Sequence, residues 1–521
     1  MEPQVDTQKV DGKNQLLFAA VITAAFLVLL YGSAFKGIPM GINILLFIAV
    51  CYGSMLACFD TFRTVLRESV FQTIAVVLLG ITFVLYNNLI LLTINAFLII
   101  MIVGAQYRFM LKLQKDPLYS VEIIRDACVV WFGYSFAGLP GAFKAMGNGK
   151  SSGGVKGVVI GVAIAIPVIA AVLALLVSAD AAFSQILKST FQDLDAGDAV
   201  GYSIVGVLLF ICACGLYHSL KNRKPNIAPA QPRLWNLNKI AITLVIACMD
   251  VVLGLFAAVQ FGYLFSGNVP AGFTYADYAR SGFWQLVGVA VIVAAIVFFV
   301  QKSSQVRGKD GKAAKILLTV LCALTEIVLV SAFWRMMMYE QAFLFSILRI
   351  FTQAFMVATA GVFLVLAVSF WAPDFKLKKW IFIVGIAVYL GLNFMNPDAF
   401  IAQQNVGIQK DSADMRYISE LSADALPFWA DQANEQIDKV LSDGYGKDEY
   451  LADTNNFLIR SLGPIEEGLG KAETWQYFNI SRESARSLVS AERYLRAKIK
   501  LNELQNMPLS YGEQPEQYDL P

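Results

Sequence analysis

The stretch Ser69–Tyr107, SVFQTIAVVLLGITFVLYNNLILLTINAFLIIMIVGAQY, runs 39 residues without a charge. A hydrocarbon core about 30 Å thick takes roughly 20 residues of helix, so the stretch is too long for one crossing and suited to two. Asn87-Asn88 at its centre mark a tight turn. Backbone surrounded by lipid must satisfy its own hydrogen bonds, which helices of this length do internally. The reading that follows is an all-α, polytopic transmembrane helical bundle.

Working outward, the same arithmetic finds about eleven spans, near 15–35, 38–58, 69–86, 88–106, 157–178, 199–218, 240–263, 283–300, 316–334, 350–371 and 380–395. The composition agrees: 57% of the chain is hydrophobic, 15% is charged, and the mean hydropathy is +0.59. Soluble domains carry about 25% charged residues, which excludes a water-soluble enzyme over most of the length. With the N-terminus in the cytoplasm, the inner segments hold 24 Lys/Arg and the outer loops five: Lys36, Lys188, Arg280, Arg335 and Arg349. Cys128–Phe143 is apolar but flanked by basic residues on both sides, so it reads as an interfacial or re-entrant helix broken by Gly138 and Pro140. Asp180–Leu194 and Trp334–Ile350 read as amphipathic helices on the outer surface.

At Met395 the charge balance reverses. Residues 1–395 carry 29 Lys/Arg against 18 Asp/Glu, and 396–521 carry 12 against 21. Two domains are expected: a membrane domain over 1–395 and an acidic, all-helical extracytoplasmic domain over 396–521. Helical patterns in the second cover Met415–Trp429, Ala433–Leu441, Glu449–Leu462 and Ser481–Asn506, the last capped by Asn479 or Ser481 with Leu488, Leu495 and Ile499 along one side. Asn396-Pro397-Asp398-Ala399 break the last span and set the domain against the membrane.

Chemistry-bearing residues are few. All seven cysteines precede residue 396, and His218 is the one histidine, so neither a disulfide in the tail nor a His-based triad or metal site is expected. Gly147-Asn148-Gly149-Lys150-Ser151 lacks the leading glycine and the strand of a phosphate loop. Asn479-Ile480-Ser481 fits a glycosylation sequon too short to be informative. No cofactor, metal or nucleic acid is expected, and the lipid bilayer is the expected partner. Asp250 and Glu326 lie inside spans at a similar depth, where ionisable groups are costly and point to function. They fit a proton relay or cation site, or a structural hydrogen bond to a neighbouring helix. A second group collects at the outer face: Tyr275, Tyr278 and Arg280, then Arg335, Tyr339 and Arg349, then Asn396, Asp398 and Asn405. These are either membrane anchors or a seat on which outer loops grip the tail.

Several stretches carry a resemblance: NPDAFIAQQN (Asn396–Asn405), YISELSADALP (Tyr417–Pro427), WQYFNISRESA (Trp475–Ala485), SAFWRMMMYEQAF (Ser331–Phe343) and FTYADYARSGFWQLV (Phe273–Val287). The chain thereby resembles an uncharacterised bacterial multi-pass membrane family of the domain of unknown function 4153/4173 type. The resemblance implies a multi-pass protein of the bacterial inner membrane with no established activity. The leading expectation is a signalling or scaffold protein, not an enzyme, whose tail binds an extracytoplasmic protein, peptide or envelope ligand. The alternatives are an ion-coupled transporter or channel using Asp250 and Glu326, and a membrane enzyme acting on lipid or cell-wall precursors.

Overall fold

The computed structural model describes residues 12–112, 123–142, 196–222, 239–266, 283–301, 312–372, 375–406, 412–471 and 474–507. Among them there are helices and turns and no strand. The chain divides into two compact units: one of 1–84 with 90–395, the other of 396–521 with Leu85–Leu89. The second therefore includes five residues that belong, in sequence, to the hairpin Ser69–Tyr107.

The first unit is built from α1 (Gly12–Phe35), α2 (Ile42–Cys58), α3 (Thr61–Glu68), α4 (Val70–Leu85), α5 (Leu89–Lys112), α6 (123–142), α7 (Ala196–Asn222), α8 (Lys239–Ser266), α9 (Phe283–Gln301), α10 (Lys312–Phe343), α11 (Ile347–Trp371) and α12 (Leu377–Phe394). Seven of these, α1, α5, α7, α8, α10, α11 and α12, are long and apolar enough to cross a membrane. The pair α3 and α4 would make an eighth, bent by 85° at Ser69. α2 and α9 are apolar but shorter. The expected span 157–178, the amphipathic segment Asp180–Leu194 and the basic linker Gly147–Ser151 lie outside the described residues.

Among the described residues, two apolar cores stand out in this unit. Phe18, Met55, Phe62, Phe83 and Tyr217 belong to one, built by α1 to α7, and Ile246, Val293, Leu318 and Phe363 to the other, built by α8 to α11. α12 packs on α11 and lays Phe382, Ile386 and Tyr389 against the first core. Two polar networks cross the first core. At the α3–α4 bend, Gln106 Nε2 donates to Ser69 Oγ and Thr73 Oγ1 at 3.1 and 3.0 Å, while Tyr52 donates to Gln106 Oε1 at 2.7 Å. Asn95 Nδ2 donates to Thr82 Oγ1 and Asn393 Oδ1 at 2.8 and 2.7 Å, and Asn95 Oδ1 accepts from Tyr389 Oη at 2.6 Å.

Two expectations for this unit are refined. α6 is interrupted at Gly138, a turn residue between helical Ser135–Ala137 and 139–142, where Gly138 N donates to Tyr134 O at 3.1 Å and Ala142 N to Gly138 O at 2.9 Å, while Pro140 lies within the helical residues that follow. Gly138 also serves packing. A Cβ there would stand 1.9 Å from the Gly215 carbonyl oxygen of α7, and one on Gly215 would stand 1.9 Å from Ser135 O. Small residues at such crossings let helix backbones meet. The second concerns Trp334–Ile350, which is not one surface helix. α10 runs unbroken to Phe343 and α11 starts at Ile347, with Leu344 between them in the left-handed region at φ 66°. The apolar periodicity at 334–343 belongs to the last turns of a 32-residue helix, whose inward face includes buried Met336.

The second unit contains α13 (Pro397–Val406), α14 (Ser412–Ser419), α15 (Leu426–Leu441), α16 (Lys447–Ala452), α17 (Phe457–Ser461), α18 (Gly463–Lys471), α19 (Ile480–Val489) and α20 (Glu492–Asn506). Trp429, Ile437, Val440, Ile459, Tyr494, Ala497 and Leu501 are buried in it. The helix expected over Glu449–Leu462 is interrupted because Asp453 accepts from Gln436 Nε2 at 2.6 Å, Asn455 N at 2.9 Å and Tyr445 Oη at 3.0 Å, with Lys439 Nζ at 3.2 Å. The helix expected over Ser481–Asn506 is likewise two, since Ala491 is extended at φ −64°, ψ 132°. That break rotates the register, so α20 buries Tyr494, Ala497, Leu501 and Leu504 and leaves Leu495 and Ile499 exposed.

Candidate functional site

A buried polar cluster gathers around Tyr86-Asn87-Asn88, the turn that joins α4 to α5 and folds as part of the second unit. Its other members come from three places in the tail. Phe394 ends α12, and Asn396 turns the chain in the left-handed region at φ 53°, which Asn tolerates better than most residues. Pro397 then opens α13 in the first-turn position where its missing N–H costs nothing. This delivers Asp398, 2% exposed, into the cluster, where Oδ1 accepts from Asn88 Nδ2 at 2.9 Å and Oδ2 from Ser422 N at 3.1 Å.

Ser422 caps the short turn Ala423–Ala425 and places Asp424, whose Oδ2 accepts from Asn87 N at 2.8 Å and from Ser422 Oγ at 3.0 Å. The third contributor is the start of α19. Asn479 caps that helix by accepting from Arg482 N at 3.0 Å and donates through Nδ2 to Tyr86 O at 2.7 Å. Arg482, 3% exposed, donates through Nη1 to Asn87 Oδ1 at 3.1 Å and through Nη2 to Tyr477 O at 2.6 Å. The sequon is thus answered: the amide nitrogen of Asn479 is engaged and the residue is buried.

Burial sets the electrostatics. It pushes the carboxyls of Asp398 and Asp424 above the usual range, against the pull of their hydrogen bonds, and the charge of Asp398 adds to the rise at Asp424. It draws Arg482 down to about 10, with Asp424 opposing. Two carboxylates and one guanidinium, all enclosed, tie the turn to α13, α15 and α19.

The same elements carry a groove. A cavity of about 510 Å³ opens between α15 and α19, lined among others by Leu426, Pro427, Ala430, Ser484, Ser487 and Leu488. The small side chains leave a slot between two helices whose first turns lie next to Asp424 and contain Arg482.

Other sequence candidates stand elsewhere. Asp250 in α8 and Glu326 in α10 belong to helices that pack together, and both lie within electrostatic reach of Cys322. Both oxygens of Asp250 and Oε1 of Glu326 are shut from the surface without a hydrogen-bond partner. Arg335 is inside α10, not on a loop: it donates to Gln260 Oε1 at 3.2 Å, an oxygen that also accepts from Ser331 at 2.7 Å. Arg349 stacks 4.3 Å from the centre of the Tyr339 ring and donates to the carbonyls of Phe343 and Leu344, closing the end of α10. Asn405 is buried in α13. Tyr275, Tyr278 and Arg280 lie outside the described residues. The sequence does not single out Asp424 and Arg482, since nothing near them announces a bond to residue 87. The turn Asn87-Asn88 and the cap at Asn479 were the available signals. Among the described residues no group of His, Cys, Asp and Glu could hold a metal ion.

No curated protein matches the chain, and no solved structure does. The family model described as a domain of unknown function, DUF4153, matches residues 73–432. That range takes in the turn at 86–88, Asp398 and Asp424, and ends before Asn479 and Arg482. Because the match covers more than two-thirds of its length, the chain belongs to the DUF4153 family.

Proposed function

We propose that this is a multi-pass signalling or scaffold protein of the bacterial inner membrane, with a cytoplasmic N-terminus, in which an extracytoplasmic helical tail binds a protein, peptide or envelope ligand and conveys that event to the α4–α5 hairpin. One observation carries the reading: the helices that line the open groove begin at the residues that hold the hairpin's turn. Leu426 follows Asp424 by two positions and Ser484 follows Arg482 by two. A ligand that parts α15 from α19 therefore displaces the groups bonded to Asn87 and Tyr86. Small residues along the slot suit an extended segment or an inserted side chain.

The test is photo-crosslinking in the native membrane from a reactive residue placed at Asn434 or Ser487, both on the groove. A discrete adduct, lost when Ala430→Trp fills the slot, is the expected result. Crosslinks that are unchanged by the filled slot would refute it.

A second reading, an ion-coupled transporter or channel, is favoured by the unpartnered carboxyl oxygens of Asp250 and Glu326. Buried acids without partners inside membrane helices are the usual mark of a proton or cation path. Its test is separate: proton or cation flux in reconstituted vesicles, abolished by Asp250→Asn and Glu326→Gln. Vesicles of the native chain that show no flux leave these carboxyls a structural role.

A further inference from the structure

Beside the polar cluster, the second unit leaves an apolar edge open. Tyr477 and Asn479 turn inward and are buried, while Trp475, Phe478 and Ile480 are 67%, 43% and 48% exposed. The backbone explains the alternation: after the short turn Trp475–Tyr477, Phe478 and Asn479 are extended, so successive side chains point to opposite sides. Leu89, the first residue of α5, is 76% exposed in the same unit. Three large apolar side chains thus stay exposed within five residues of a buried asparagine, and a fourth, Leu89, three residues beyond the carbonyl that this asparagine binds.

The location of that asparagine says what covers the edge. Asn479 donates to the carbonyl of Tyr86 at 2.7 Å, and Tyr86 directly follows the last residue of α4. Leu89, three residues on, opens Leu89–Met110, a helix long and apolar enough to cross a membrane. Asn479 is therefore bonded to the turn Leu85–Leu89, where one apolar helix ends and the next begins, and in a bilayer such a turn marks the boundary between acyl chains and headgroups. Tryptophan favours that boundary, because its aromatic body is apolar and the indole N–H finds water or headgroup oxygen, while phenylalanine, leucine and isoleucine add apolar surface to insert beside it. We infer that Trp475, Phe478, Ile480 and Leu89 form a lipid-inserting edge, by which the tail seats in the outer part of the bilayer independently of any ligand it binds. The inference rests on the reading of this chain as a membrane protein.

The experiment uses the full chain in vesicles of phosphatidylethanolamine and phosphatidylglycerol, with an environment-sensitive fluorophore on a single cysteine in a background freed of the native ones. Labels go at Trp475, at Val252 on the exposed side of α8, and at Leu451 on the exposed side of α16. A nitroxide on the upper acyl chain is expected to quench the Trp475 label at least twofold and the Leu451 label hardly at all, while aqueous iodide does the reverse. Quenching at Val252 with none at Trp475 overturns the inference and leaves the membrane reading intact. No lipid quenching at either site overturns the membrane reading itself. A Trp475 label sheltered from both quenchers points to a protein partner and also overturns it. Should the cysteine-free chain fail to fold, native chain and Trp475→Phe are compared with brominated lipid: the emission lost in the variant must be blue-shifted and quenched by the bromine.

Discussion

Arg482 serves two acceptors from one enclosed guanidinium, so replacing it strands both Asn87 Oδ1 and the Tyr477 carbonyl. Arg482→Ala is expected to cost about 2–4 kcal/mol, the range for breaking a buried charged hydrogen-bond set. Amide exchange in peptides from 480–489 and from 86–88 should accelerate together, roughly 30- to 1,000-fold. Arg482→Lys should recover only part of this, since an ammonium cannot reproduce the fork. Unchanged exchange at 86–88 would show that the turn stands without it. Acid should act on the same cluster in a defined order. Asp398 and Asp424 have raised folded pKa values, so their ionised forms oppose folding above those values, and the penalty is relieved as pH falls through them toward 3.8. Asp453 is the opposite case: its carboxyl is lowered because its hydrogen bonds outweigh burial, so its contribution is present above 3.8 and lost as pH falls further. Tail stability, read by amide exchange, should rise on mild acidification and then fall. In the double variant Asp398→Asn, Asp424→Asn the first rise should vanish while the later fall remains.

Between elements, the close meeting of α6 and α7 is the feature most sensitive to a single methyl group. Gly215→Ala puts a carbon 1.9 Å from Ser135 O, a backbone atom that cannot swing aside. The expected outcome is loss of the monodisperse detergent-solubilised form, with Gly133→Ala, where the nearest side-chain atom is 3.6 Å away, as the tolerated control. An equally monodisperse Gly215→Ala would mean that the helices separate at little cost. The elements also show what sequence could convey. Among the described residues, helix positions followed from apolar length, and the turn at Asn87-Asn88 from the impossibility of a 39-residue span. Helix ends were harder, because they answer to distant groups. Asp453 stops α16 by serving as acceptor for Gln436 and Tyr445, and Ala491 interrupts the last helix with neither Gly nor Pro beside it. The end of α10 is ambiguous in sequence for a related reason: amphipathic spacing at 334–343 looks the same on a surface helix as on the final turns of a packed one. Of the candidate site, Asp398 was visible because it follows an Asn-Pro break, whereas Asp424 and Arg482 sit in ordinary helical sequence and are defined by partners 337 and 395 positions away.

For the molecule as a whole, the charge asymmetry of its loops makes orientation testable. In intact cells an impermeant maleimide is expected to label a cysteine at Ser442, at the end of α15, and not one at Asp60, between α2 and α3. The reverse pattern would overturn the proposed orientation. The division of the chain has a further consequence, for biosynthesis. The turn 86–88 belongs to a unit whose other residues begin at 396, so its acceptors and donors wait for partners 310 to 395 positions later. At about 5–20 residues per second of synthesis, that interval is roughly 15–80 s. During it the hairpin must be held by its apolar helices alone. Once the tail emerges it can complete its fold only if it meets the turn on its own side of the bilayer, because five of its residues are supplied from there. A chain threaded with the wrong parity would offer those residues to the opposite compartment and leave the tail incomplete, exposed to quality-control proteases. In the proposed membrane arrangement, closure of the tail around Asn87 and Asn88 would act as a final proofreading step on how the chain was inserted.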